Sequence, residues 1–288
     1  MLLYRLSLSL ATTVFFLFIL LAGADAFQAK VIPQVITQGD AFVVKVTGLG
    51  KLAPPSASLG TRELNFAGCG DGCFMAFGAV DLDTKPGLYK ILIASGKINI
   101  RLRLVIRRAN FPTLNISLPE EKVSLSPEDN ARAEQEASLL KSLWQNVTEP
   151  LWEGSFILPL GNTISTGFGV KRIFNGKKTS IHRGIDIKGQ EGDEVRASNR
   201  GRVALVEELF FGGRTIVLDH GNGIFSVYMH LSVVNIRPDD LVSKGQVIGR
   251  VGSSGRASGP HLHYGVKVGD ISANPLSLSR LGLQAAEK

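Results

Sequence analysis

Cysteine is nearly absent from this chain: two residues in 288, both in Cys69-Gly-Asp-Gly-Cys73. Two sulfurs with no histidine nearby exclude a zinc–thiolate site. Their spacing, with glycines that permit a tight turn, predicts a small-loop disulfide in an oxidising compartment. Also missing is any His-Glu-x-x-His pattern, which removes a glutamate base of the thermolysin type. No serine triad is visible. Lys and Arg are scattered and no nucleic-acid motif accompanies them, so the net charge of +7 points to mild attraction toward an anionic surface, with no nucleic acid as partner. The C-terminal half shows no long amphipathic helix. What remains, at 44% hydrophobic and 20% charged residues, is ordinary globular composition, long enough for two domains with cores of their own.

The N-terminus is a separate case. Met1-Leu-Leu-Tyr-Arg5 is followed by an apolar run over residues 6–23 and by Ala24-Asp-Ala26, small residues at the positions a signal peptidase reads. Residues 1–26 are therefore predicted to be a secretory signal, and the chain an exported one. An uncleaved anchor is the rival reading, and only in that case is the membrane a partner. No cysteine sits near the cleavage point, which argues against a lipoprotein.

Residues 27–110 read as β structure. Phe42, Val44 and Val46 alternate with Val43, Lys45 and Thr47, and Ile98, Ile100, Leu102 and Leu104 alternate with polar residues. That pattern predicts strands with one buried and one solvated face. With turns at Ser95-Gly96, Pro54-Pro55 and Lys85-Pro-Gly87, it suggests an immunoglobulin-like β-sandwich acting as a spacer or docking module. Residues 111–154 read as a connector with one helix. Phe111-Pro112 and Leu118-Pro119 keep the chain extended. Ser126-Pro-Glu-Asp129 is a helix start, and Ala133, Ala137, Leu140 and Trp144 make one apolar stripe. Residues 155–280 form the second domain, with an opening strand in 158–169, a polar loop in 171–180, and strands in 202–207, 215–219, 224–230, 246–251 and 261–268. Gly221-Asn-Gly223 makes a hairpin turn. Residues 281–288 are a tail. The fold class is mainly β.

All five histidines fall between His182 and His263. His261 and His263 are two apart, so a strand would aim both at one face. His182 and Asp186, four apart in an extended segment, would share a side while Ile185 and Ile187 pack into the core. Two imidazoles and a carboxylate from this set suit a catalytic zinc ion that keeps its fourth position for water, and the same residue types fit other divalent ions. His220 stands before the hairpin turn and reads as a turn residue with local hydrogen bonds.

His182-x-x-x-Asp186, His230 in Tyr228-Met-His-Leu231, and His261-Leu-His263, taken with Ser165-Thr-Gly-Phe-Gly169, Asp219-His-Gly-Asn-Gly223 and Val242-x-Lys-Gly-Gln-x-Ile-Gly249, resemble the lysostaphin-type zinc metallopeptidases that cut peptidoglycan cross-bridges. The likeness spans residues 158–275. It implies an antiparallel β-sheet metallopeptidase domain with one zinc ion. The ligands would be His182, Asp186 and His263, and the further active-site histidines His230 and His261. The substrate implied is bacterial peptidoglycan, with D,D-cross-links favoured over glycine bridges because the chain has an export signal and no evident wall-anchoring repeat. A periplasmic or envelope address follows, with an envelope-localising or regulatory protein as a further partner. The alternative is a non-catalytic or latent peptidoglycan-binding regulator, an activator of cell-wall amidases. The complete ligand set counts against it.

Overall fold

A computed structural model describes residues 27–50, 53–117 and 125–283. Residues 1–26, Leu118-Pro119 and residues 284–288 of the tail lie outside the described residues. No helix among the described residues is long and apolar enough to cross a membrane.

Nine strands come first: β1 (Gln28–Ile32), β2 (Val35–Thr37), β3 (Ala41–Thr47), β4 (Ser56–Leu59), β5 (Arg62–Leu64), β6 (Phe66–Gly70), β7 (Cys73–Ala79), β8 (Gly87–Ser95) and β9 (Ile98–Arg107). They form two sheets, ordered β1-β3-β7-β6 and β2-β9-β8-β4-β5. In β9, Arg101 and Arg103 are exposed while Leu104 and Ile106 are buried, the alternation of a half-buried strand. Its hairpin with β8 turns just after Ser95, where Gly96 takes a positive φ of 56°. Phe42 and Val44, Ile91 and Ile93, and Leu104 and Ile106 share the space between the sheets, so this half is a two-sheet sandwich. Cys69 and Cys73 form the expected disulfide across the β6–β7 turn.

Strand β3 departs from the expected alternation. Ala41 and Val43 are as buried as Phe42 and Val44. The reason is a second layer: Ala41, Val43, Met75 and Phe77 share a core with Trp152, Phe156 and the C-terminal half. The face read as solvated is therefore the contact between the two halves, closed by Ala41 N–H donating to Ser277 Oγ at 2.8 Å and Asn274 N–H to Gly39 O at 2.7 Å.

Strand β10 (Thr113–Ile116) and helix α1 (Pro127–Leu143) follow. The helix starts as predicted, with Pro127 in the first turn and the Asp129 N–H donating to Ser126 Oγ at 3.0 Å. Of the predicted apolar stripe, Leu140 and Trp144 dock while Ala137 stays exposed. No residue within the helix is buried. Only its C-terminal end packs, where Trp144 sits among Leu205, Val217, Phe225 and Val227. Farther up, polar bonds hold it: Arg132 Nη2 donates to Glu208 O at 2.8 Å, and Phe210 N–H to Glu136 Oε2 at 2.7 Å.

The remaining strands are β11 (Ile164–Thr166), β12 (Lys171–Phe174), β13 (Lys178–Ile181), β14 (Ile185–Lys188), β15 (Glu194–Arg196), β16 (Gly201–Leu209), β17 (Gly213–Asp219), β18 (Ile224–Val234), β19 (Leu241–Val242), β20 (Val247–Val251), β21 (His261–Val268) and β22 (Ile271–Ala273), before a short helix α2 (Pro275–Ser279). A ten-stranded sheet runs β11-β14-β21-β18-β17-β16-β19, with β15, β20 and β22 attached at its side, and its strands pair antiparallel. Only Ile164–Thr166 of the expected opening strand is extended in a sheet. The polar stretch expected to be a loop is the hairpin β12–β13, and β10 adds to it in parallel. Its turn has Asn175 at φ 50° and Gly176 at φ 68°, the paired positive φ of a primed hairpin turn.

Candidate metal centre and cleft

Strands β14 and β21 pair so that Asp186 stands directly opposite His263 and Lys188 opposite His261. Ile185, Ile187 and Leu262, which alternate with these residues, are fully buried on the other face. His182 is not in a strand with Asp186. It sits in the bend between β13 and β14, where its N–H donates to Val170 O at 2.9 Å and its carbonyl accepts from Gly169 N–H at 2.8 Å. Gly184 is what lets the bend close. A Cβ there would lie 2.6 Å from Tyr264 O and 2.7 Å from the ring atoms Cε1 and Nε2 of His263.

The three side chains converge. His182 Nε2 and His263 Nδ1 each lie 2.9 Å from Asp186 Oδ1, and 3.0 Å from one another. All three potential ligand atoms fall within 4.8 Å of one another. Gly167 O, which can only accept, is 2.8 Å from His182 Nδ1, so Nδ1 carries the hydrogen. A neutral His182 then turns the lone pair of Nε2 toward a carboxylate oxygen. Acceptor facing acceptor at 2.9 Å is the arrangement a cation between them resolves, and the donor set fits zinc. The other oxygen of Asp186, Oδ2, accepts from Arg172 Nη2 of β12 at 2.8 Å.

His230 and His261 flank this cluster, their ring centroids 4.8 Å apart. The same carbonyl logic applies to both. His230 Nδ1 is 2.9 Å from Ser254 O, and His261 Nδ1 is 2.8 Å from Gly259 O. In the neutral rings each Nε2 keeps its lone pair, and His261 Nε2 stands 3.9 Å from Asp186 Oδ1. His230 occupies the left-handed region at φ 65°, a cost that ordinary strand residues do not carry. Its N–H donates to Gly212 O at 2.8 Å. Burial pushes its imidazole down to about 4, so it is neutral at physiological pH.

The five residues open on one cleft of about 1130 Å³. Its walls include Arg172 and Phe174 from the β12–β13 hairpin, Phe210 and Phe211 from the β16–β17 turn, and Arg256 from the loop before β21. Sequence reasoning passed over Phe210, Phe211 and Arg256. The signal for Phe210-Phe211 was an aromatic pair placed directly before Gly212-Gly213. The single arginine carried none. His220 is outside the cleft and is not the locally bonded turn residue expected. It is fully buried, with Nδ1 2.8 Å from Arg200 O and Nε2 2.7 Å from Ser226 Oγ.

Residues 180–275 match the family model described as Peptidase family M23. Over 129 residues the chain is 36% identical to the DD-carboxypeptidase/endopeptidase Mpg of Neisseria meningitidis, covering 44% of this chain and 30% of that one. Over 102 residues it is 36% identical to the peptidoglycan DD-endopeptidase ShyA of Vibrio cholerae, covering 35% and 24%. The chain thus spans under a third of the length of either curated relative. A crystal structure of a putative peptidase M23 from Pseudomonas aeruginosa superposes with a TM-score of 0.65 at 26% identity, covering 84% of this chain and 94% of that one.

Proposed function

We propose, from the premise that residues 180–275 are a domain of peptidase family M23, that this protein is an exported, zinc-dependent endopeptidase that hydrolyses the peptide cross-links of bacterial peptidoglycan. His182, Asp186 and His263 hold the ion; His230 and His261 are the catalytic histidines. The observation that carries the reading is the five-residue frame itself, with three ligand atoms within 4.8 Å and two more imidazoles turned toward them by backbone carbonyls. The names of the two relatives quoted above support D,D-bonds as the target in preference to glycine bridges. The address is the periplasm or envelope, by the export signal.

Zinc bound there would supply a Lewis acid that makes water nucleophilic near neutral pH and polarises the scissile carbonyl. The chain's own residues do the rest. Asp186 is held in place from both sides, by His263 across the strand pair and by Arg172 at its outer oxygen. His230, held neutral by burial, presents the lone pair of its Nε2, and His261 turns its Nε2 toward the cluster. Either can take the proton of the attacking water there and, once protonated, donate it to the developing oxyanion or the leaving amine. The cleft walls position an extended peptide between the hairpin and the Phe210-Phe211 turn.

The test is direct. The chain from Phe27, loaded with zinc, is incubated with cross-linked peptidoglycan beside a His263→Ala sample, and released muropeptides are identified by mass spectrometry. Dimers should fall and monomers rise with the wild type alone, and the masses name the bond. Equal products in both samples would remove His263 from the site. No products from either would favour the regulator or latent reading.

A further inference from the structure

The loop of residues 252–260 between β20 and β21 supplies both carbonyls that orient the flanking histidines, Ser254 O and Gly259 O. Arg256 lies between them in the chain and lines the cleft. Two residues of chain span at most about 7 Å, so its backbone stays close to the His230 anchor. The residue is pinned at both ends. Its N–H donates to Phe211 O at 3.0 Å, and its guanidinium carbon lies 4.3 Å from the Phe211 ring centroid and 5.9 Å from that of Phe174. Phe211 in turn packs against Phe210, their centroids 4.9 Å apart.

What this guanidinium lacks is an acid. Among the described residues no ion pair involves Arg256, although the side chain is exposed to the cleft. The other arginines of the cleft are already engaged: Arg172 Nη2 bonds Asp186 Oδ2 at 2.8 Å, and Arg183 Nη1 lies 3.8 Å from Asp81 Oδ1. Arg256 thus lies in the field of Arg172, whose own carboxylate partner is Asp186. Partial burial, and then the charge of Arg172, push the Arg256 pKa down, the sign of a cation without its counter-ion. A guanidinium shelved on aromatic rings loses little freedom on binding and presents its donors as a fork suited to a carboxylate.

We propose that Arg256 is a carboxylate subsite of the cleft, binding a carboxylate of the substrate peptide beside the scissile bond. Two groups offer that chemistry, the free carboxylate at a peptide's end and the second carboxylate of a diamino diacid. The inference rests on the peptide-hydrolase reading of the same cleft and makes Arg256 a residue that selects substrates by charge. The carbonyls of its loop orient His230 and His261 whatever its side chain.

The experiment measures binding and turnover separately on the full zinc-loaded chain. Its probes are synthetic peptides of D-alanine joined to a diamino diacid, with each carboxylate free or amidated. Calorimetric titration of the wild type should show about 10- to 100-fold weaker binding when the recognised carboxylate is amidated, the range for one charged hydrogen-bonded contact. Which amide is penalised names the group. Arg256→Gln should bind all the peptides as the wild type binds the penalised amide, and Arg256→Lys should recover part of the preference, with the loss carried by KM more than by kcat. A wild type without preference between acid and amide overturns the subsite. So does an Arg256→Gln protein, folded by circular dichroism, that weakens acids and amides equally. A wild type that keeps the preference but cuts no peptide leaves the subsite standing and removes the hydrolase reading; cutting without preference does the reverse.

Discussion

Two buried polar clusters are built on the same ten-stranded sheet, and they follow opposite rules. Around His220 each donor meets an acceptor. Nδ1 faces the Arg200 carbonyl, Ser226 Oγ bridges His220 Nε2 and Tyr228 Oη at 2.7 and 2.9 Å, and Tyr228 Oη accepts the Ser198 N–H at 2.8 Å. Around His182 a lone pair, a carboxylate oxygen and a second imidazole crowd within 3.0 Å. The first cluster is complete as protein. The second sets acceptors against one another, the arrangement a cation resolves. Residue type does not separate them, since both hold a fully or nearly buried histidine. What separates them is what lies at the second ring nitrogen. The N-terminal sandwich has neither kind, because among the described residues every buried polar or charged side chain lies from His182 onward.

The largest effect should come from removing the carboxylate of the incomplete cluster. Partners outside the ligand sphere typically cost about 10- to 100-fold in metal affinity when mutated, and a ligand costs more. Asp186→Ala should therefore lose more than about a hundredfold in zinc affinity, read by competition with a chelating dye, and its turnover with it. A ligand that binds only the folded state raises stability, by about 2.7 kcal/mol at a hundred times its Kd. Zinc should thus raise the Tm of the wild type and leave that of Asp186→Ala unmoved. His220→Gln, whose cluster needs no ion, should respond to zinc like the wild type. A zinc response lost in His220→Gln would erase the distinction between the clusters.

The complete cluster should betray itself through pH. Burial pushes the His220 imidazole from 6.5 down to about 4, against the raising effect of its bond to the Arg200 carbonyl. Below pH 6.5 the unfolded chain takes up a proton that the folded chain refuses until about pH 4. Stability is then present above that window and lost as pH falls through it, by on the order of 3 kcal/mol at about 1.36 kcal/mol per pKa unit. Asp219, raised by burial, has the opposite sign, since its folded form gains from acid. Urea unfolding of wild type and His220→Gln at pH 7 and pH 4.5 isolates the histidine, because Asp219 is common to both. The gap between the proteins should shrink on acidification. A gap independent of pH would mean that His220 is not held neutral.

The incomplete cluster was legible in the sequence and the complete one was not. Spacing alone aims His261 and His263 at one face and buries Leu262 between them, and the strand pair then delivers Asp186. His220 gave no such signal, because its partners are Arg200 in the bend before β16 and Ser226 in β18, and register is not written in local pattern. The same limit explains β3, whose outer face was read as solvated because alternation does not reveal a second layer. It explains α1 as well, where Ala137 is too small to dock a stripe and Arg132 and Glu136 make the contact instead. The hairpin of β12 and β13 is a different kind of miss. Its Asn175-Gly176 turn is a strong local signal, obscured by the lysines around it.

Gly184 offers the finest test, because it touches the cluster without belonging to it. A Cβ at this position would stand 2.6 Å from a backbone oxygen and 2.7 Å from His263 Nε2. The backbone oxygen cannot swing away as a long side chain can, so the β13–β14 bend or the His263 ring has to give. Gly184→Ala should therefore weaken zinc binding by about 10- to 100-fold, as a displaced supporting contact does, while the chain keeps its fold by circular dichroism. His220 lies in the turn between β17 and β18, outside the cleft, and should not notice. The pH dependence of unfolding in Gly184→Ala should overlay that of the wild type when both are measured in chelator. If the substitution instead altered that profile and spared zinc affinity, the two clusters would be one cooperative unit and the contrast between them would fail.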